Sequence, residues 1–220
     1  MMRLIAPSIL GADFLRLEDA VNLVNGHADL MHVDVMDGTF VPNISFGFPV
    51  LEALARKTRV PLDVHLMIVH PEKYIRRFAE AGAGWISFHL EAAEEAGTDP
   101  VSLLREIRSL GVKAGLAIDP DVPVDRLFPY LEETDFVLIM TVFAGFGGQK
   151  LIAESYDRIA AVKAEIDRRG LTTLIEADGG IGAGNIDALA AAGASVFVSG
   201  ASVFNAPDPA EMIRRLKGCN

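Results

Sequence analysis

The stretch HVDVMDGTFVPN, His32 to Asn43, alternates polar and apolar residues and then breaks into a turn. A strand sends successive side chains to opposite faces. His32, Asp34 and Met36 therefore share one face, and Val33 and Val35, with Met31 before them, take the other. Charged groups rarely sit inside a sheet unless something pairs with them. The same pattern returns in PLDVHLM, where Asp63, His65 and Met67 oppose Val64 and Leu66, and in LIEADGG, where Glu176 and Asp178 share a face. The apolar faces can pack under helices. The polar faces must then point inward together.

Short β-rich runs alternate with helical patterns along the whole chain. Strands are expected at 3–10, 30–34, 61–67, 85–88, 113–118, 136–140, 173–177 and 196–198. Helices are expected at 14–24, 49–56, 74–81, 101–110, 156–169 and 209–216, the fifth with Ile159, Val162 and Ile166 at helical spacing. Gly26, Gly82, Gly111, Gly170 and Gly193 read as helix ends, where glycine reaches the left-handed conformation freely. AGAGWIS from Ala81 and AGASVFV from Ala192 repeat one local solution half a chain apart. Strict β–α alternation implies parallel strands with right-handed crossovers. Eight units in 220 residues fit a (β/α)8 TIM barrel, a single domain over 1–220. A doubly wound open sheet is the alternative, but SILGADF is no dinucleotide-binding GxGxxG.

Half of the residues are apolar, enough for a core burying roughly 70–75% of the unfolded surface. A net charge of −10 argues against nucleic acid or an anionic membrane as partner. No apolar run is long enough to span a bilayer. MMRLIAPSILGADF reads as a first strand rather than a signal peptide, and Cys219 is the only cysteine. Together these imply a cytoplasmic protein, and exposed barrel helices imply a homo-oligomer.

At the strand C-termini of a barrel, His32, Asp34, His65 and Asp178 would converge as a four-ligand site. Mixed N/O ligation suits one Zn²⁺, Fe²⁺, Mn²⁺ or Co²⁺ better than Ca²⁺. A cation would also neutralise carboxylates that are otherwise costly to bury. AGFGGQK, DGGIGAGN and SGASVF follow the sixth, seventh and eighth strands, where barrels often hold phosphate on backbone N–H groups. Such a site needs no basic side chains, which suits an acidic protein. Met36, Met67 and Met140 close their strands at the same end and would form an apolar lining. Ser8 ends the first strand as a turn residue or a ligand hydroxyl. Two carboxylates at a metal beside a phosphate pocket point to proton chemistry on a sugar phosphate, inverting a stereocentre through an enediolate.

Taken in order, APSILGADF, HVDVMDGTFVPN, LDVHLM, GFGGQ, ADGGI and SGASVF resemble the ribulose-phosphate 3-epimerase family over nearly the whole chain. The resemblance implies metal-dependent inversion of C3 between D-ribulose 5-phosphate and D-xylulose 5-phosphate, in the pentose phosphate pathway or the Calvin cycle. It implies His32, Asp34, His65 and Asp178 as metal ligands, with Asp34 as proton acceptor and Asp178 as donor. Ser8 and His65 would contact the phosphorylated ketose. Gly145, Phe146, Gly147 and Gly148, with Gly179, Gly180, Gly200 and Ala201, would line its pocket. Three positions depart from the family pattern. Phe143-Ala144 replaces Asn-Pro, Ala201-Ser202 reverses Ser-Ala and takes a hydroxyl from the phosphate, and ADGGI replaces VDGGI. The first two bear on the length of the sugar. A hexulose-phosphate 3-epimerase acting on D-allulose 6-phosphate is the neighbouring reading, though it would carry GFAGQ and a Ser after DG. A decarboxylase or aldolase would carry a strand-end Lys, which none of these strands has. A non-catalytic phosphosugar-binding barrel would lack one of the four ligands.

Overall fold

The computed structural model describes residues 3–218. Cys219 lies outside them. Eight parallel strands alternate with helices: β1 Leu4–Ala6, β2 Met31–Met36, β3 Leu62–Met67, β4 Ala83–His89, β5 Lys113–Ile118, β6 Phe136–Met140, β7 Leu174–Asp178 and β8 Val196–Val198. The sheet runs β1-β8-β7-β6-β5-β4-β3-β2, every pair parallel. A parallel bridge between Ser8 and His32, with the N–H of His32 donating to Pro7 O at 3.1 Å, brings β2 against the end of β1. The result is the expected (β/α)8 barrel.

The helices are α1 Leu17–His27, α2 Phe48–Ala55, α3 Ile75–Glu80, α4 Leu90–Glu95, α5 Pro100–Ser109, α6 Ser155–Arg169, α7 Ile186–Ala192, α8 Ala201–Phe204 and α9 Pro209–Lys217. Outward-facing strand residues such as Val33, Val64, Ile86, Leu116 and Ile139 form one large core with the helices. Inside the barrel the layers differ. The lower layer is apolar, with Trp85 and Phe136 rings at 4.8 Å and the Lys113 ammonium over the indole. A Cβ on Gly115 would lie 2.2 Å from the Phe136 ring, so only glycine lets that ring fill the axis. Above it lie His32, Asp63 and Glu176, then Asp34, His65 and Asp178, all buried.

Several expected boundaries move. The first strand stops at Ala6, because Pro7 has no N–H for a ladder and Ser8 caps a 3-10 turn at Ile9–Gly11. β2, β4 and β7 extend to Met36, His89 and Asp178, carrying their polar residues inside the strands. Gly26 is not a helix end: α1 runs through it to His27. Gly82, Gly111, Gly170 and Gly193 do adopt positive φ. Between β5 and β6 the connection is a 3-10 stretch, Val124–Glu133, with Pro129 inside.

Candidate active site

Register decides which side chains meet. Asp34 lies opposite His65, His32 opposite Asp63 and Met36 opposite Met67 in the β2–β3 pair. Met140 lies opposite Asp178 between β6 and β7. His32 Nε2 is 3.2 Å from Asp34 Oδ1 and 3.7 Å from Asp178 Oδ2. His65 Nδ1 is 3.5 Å from each of the same two oxygens. The structure thus brings one donor atom from each of His32, Asp34, His65 and Asp178 within 4.8 Å of one another.

Three of these groups, His32, His65 and Asp34, are held from behind. Asp63 Oδ2 sits 2.6 Å from His32 Nδ1. His89 Nε2 sits 2.9 Å from His65 Nε2. The Ser8 hydroxyl donates to Asp34 Oδ2 at 2.6 Å. Burial disfavours a charged His32, but Asp63 and Asp34 outweigh it and raise its pKa well above the usual value. His65 is raised in the same way, burial being overcome by Asp178 and Asp34. Asp34 feels the reverse: burial opposes its charge, yet the two imidazoles hold it well below the usual carboxylate range. Beneath them Glu176 is raised well above its ordinary value, first by burial and then by Asp63.

The donor set could hold a metal ion. His65 Nδ1 is fully buried, makes no hydrogen bond and faces two carboxylate oxygens. Two imidazole nitrogens and two carboxylate oxygens suit a divalent transition ion. Their other ring nitrogens are already engaged, as supporting contacts of metal-bound histidines usually are.

Above the cluster opens a cavity of about 640 Å³. Asp34 and Asp178 reach its floor with Met36, Met67 and Met140, while Ser8, Gly145, Phe146, Gly147, Gly148, Gly179, Gly180, Gly200 and Ala201 form its walls. His32 and His65 are not in the lining; both are fully buried beneath it. Among the described residues no Lys or Arg lines this cavity. An anion there would meet backbone N–H groups, among them those that open α8, and neutral side chains such as Asn43, Gln149 and Ser202. Ser202 lines the cavity beside Ala201.

The mouth is held by contacts between distant loops. Asn43 Nδ2 donates to Gly145 O at 2.9 Å, tying the turn after β2 to the loop after β6. Asp37 accepts the N–H groups of Thr39, Phe40 and Val69. Gln149 Nε2 donates to Phe143 O and Phe146 O. Asp119 Oδ1 accepts the N–H of Ala144 at 3.2 Å, a donor that a proline at this position would lack. Asn43 and Gln149 stand inside quoted motifs. His89, Glu91 and Asp119 carry no such signal, since each looks like an ordinary strand-end or helix-start residue.

Comparison with known proteins agrees with this geometry. The family described as "Ribulose-phosphate 3 epimerase family" matches residues 4–204. A "Ribulose-phosphate 3-epimerase" of Mycobacterium tuberculosis is 46% identical over 97% of this chain and 91% of its own length. Another, from Synechocystis, is 48% identical over 95% of this chain and 90% of its own. The chain belongs to the ribulose-phosphate 3-epimerase family. It is therefore an epimerase, and the sequence resemblance to that family holds across nearly the whole length. Among solved structures, KGPDC from Streptococcus mutans superposes with a TM-score of 0.73 at 12% identity over 99% of this chain and 97% of its own. N-(5'-phosphoribosyl)anthranilate isomerase from Pyrococcus furiosus gives 0.66 at 15%, covering 99% and 98%. At such identities these two share the barrel and nothing finer.

Proposed function

We propose that this epimerase interconverts D-ribulose 5-phosphate and D-xylulose 5-phosphate, with Asp34 and Asp178 exchanging the proton at C3. One observation carries the reading: two carboxylates of one cavity floor share a pair of buried imidazoles. Asp34, held ionised, takes the C3 proton. The C–H electron pair moves toward C2, leaving an enediolate. Asp178 returns a proton to C3 from the opposite side and the C2 carbonyl re-forms. β2 and β7 are separated by β1 and β8 around the wall, so their carboxylates approach the carbon from different directions. In the reverse direction the two exchange roles. Met36, Met67 and Met140 keep water from the reacting carbon. The phosphate end rests on the glycine-rich walls.

His32, Asp34, His65 and Asp178 would hold one divalent ion: Zn²⁺, Fe²⁺, Mn²⁺ or Co²⁺. Such an ion supplies, when bound, positive charge against the developing oxygen charge, worth several kcal/mol. Exposed apolar side chains at Phe14, Leu15 and Ile44 support a homo-oligomer, and the six-carbon D-allulose 6-phosphate is the competing substrate.

The test is deuterium entry at C3 of each ketose in deuterated water, followed by NMR with and without prior chelation. Exchange on the pentulose that chelation abolishes is expected. Asp178→Asn should lower inversion by about 10²–10⁴-fold with the fold intact. Faster exchange on the hexulose changes the substrate, and substantial turnover by the variant removes Asp178 as donor.

A further inference from the structure

Behind His65 lies a second group of polar side chains that the reaction above does not use, His89 buried and Glu91 and Asp119 half-buried. His89 ends β4 and is fully buried, its ring covered by Phe40 at 4.7 Å. Its Nε2 meets His65 Nε2 at 2.9 Å, and its Nδ1 makes no hydrogen bond. That Nδ1 faces Glu91 Oε1 at 3.7 Å, several tenths of an ångström beyond a hydrogen bond. Glu91 Oε1 also accepts the N–H of Asp119 at 2.8 Å, and Oε2 is buried without a partner.

The hydrogen positions follow from one constraint. An imidazole that ligates through Nδ1 carries its hydrogen on Nε2. His65 Nε2 then donates and His89 Nε2 accepts. A neutral His89 whose Nε2 accepts carries its own hydrogen on Nδ1, pointing at Glu91. The opposite arrangement puts a hydrogen on His89 Nε2 and leaves His65 Nε2 to accept it. A neutral His65 would then be protonated on Nδ1, among the ligand atoms, and could not bind metal.

We propose that His89 and Glu91 are positioning residues that fix His65 in its metal-binding tautomer, through a His65–His89–Glu91 relay. The proposal rests on the metal site inferred above. His89, Glu91 and Asp119 also cluster closely enough to hold a cation of their own. The relay excludes that use, because it occupies His89 Nδ1 with a hydrogen. Arg158 weighs against it as well, since its guanidinium donates to Asp119 O at 2.9 Å beside the same cluster.

The experiment uses the full chain and Zn²⁺ alone, with no substrate. Affinity is read by competition with a chelator of known strength, and ring-nitrogen NMR reads the tautomers of the five histidines. In the Zn²⁺ form of the unmodified chain, hydrogens are expected on His65 Nε2 and His89 Nδ1, with one Zn²⁺ bound. His89→Leu should weaken Zn²⁺ about 10–100-fold. His89→Gln, which restores an acceptor for His65, should recover most of that loss. Glu91→Gln should leave the fold and the metal stoichiometry unchanged while altering the His89 ring signals. If the unmodified chain takes no Zn²⁺, the metal site itself fails and the relay falls with it. If it takes one Zn²⁺ but His89 has a bare Nδ1, or His89→Leu binds as tightly, the relay alone is refuted. Two bound Zn²⁺ with His89 Nδ1 as a ligand also overturns it.

Discussion

Asp63→Asn tests the support of the other imidazole. Asp63 is fully buried and its Oδ2 lies 2.6 Å from His32 Nδ1, a charge-assisted contact. When His32 ligates through Nε2, that bond keeps the hydrogen on Nδ1. Such a bond contributes about 1.5–3 kcal/mol, and 1.36 kcal/mol is tenfold in an equilibrium. Asparagine keeps an amide oxygen that can accept from Nδ1, so only the charge assistance is lost, about 1–1.5 kcal/mol, and metal binding should weaken by about 5–13-fold. The asparagine is nearly isosteric, so the packing of β3 against β2 and β4 is kept. Glu176 Oε1, 3.7 Å from the same nitrogen, is too far away to restore the lost charge through a hydrogen bond. The assay is Zn²⁺ competition at pH 8, with circular dichroism confirming the fold. Affinity within twofold of the unmodified chain would refute the idea that Asp63 sets the state of His32.

Other outcomes follow from the same contacts. In the chelated protein, His32, His65 and Glu176 bind protons more tightly folded than unfolded. The histidine contribution is complete below the unfolded value of about 6.5 and is lost as pH rises through the raised folded values, while that of Glu176 is lost from about 4.5 upward. The Tm of the chelated chain should therefore fall from pH 6.5 to 9. With Zn²⁺ present it should instead rise, because ligands must shed protons to bind, and parallel Tm profiles would contradict the site. Gly180→Ala places a Cβ 2.5 Å from Leu151 N at a φ of +65°, so the pocket wall must shift. A raised KM for the phosphorylated ketose with kcat changed much less is expected, and an unchanged KM removes this wall from binding. Replacing Phe143-Ala144 by Asn-Pro deletes the Asp119–Ala144 hydrogen bond and the ring beside the cavity. The ratio of five- to six-carbon turnover should change, and a constant ratio means that this loop does not select sugar length.

Much of this was legible because strand periodicity is a local property. Alternation in HVDVMDG and PLDVHLM put His32, Asp34 and His65 on shared faces, and two-sided burial in a barrel left only the interior for them. Parallel order followed from β–α alternation. The glycine-rich walls were readable because close backbone approach demands glycine, as at Gly179 and Gly180. Only tertiary structure decided the rest, since it depends on register and on loops far apart in sequence. The sequence placed Glu176 beside Asp178 but could not show that Asp63 is its neighbour, across the barrel, or that burial raises its pKa. It could not pair His89 with His65, 24 residues away on another strand. Nor could it show Asn43 holding Gly145 from 102 residues away, or Ser202 lining the cavity beside Ala201. Residue type and spacing fix which groups are available on a face. Which of them touch is set when eight strands close, and that closure is a property of the whole chain.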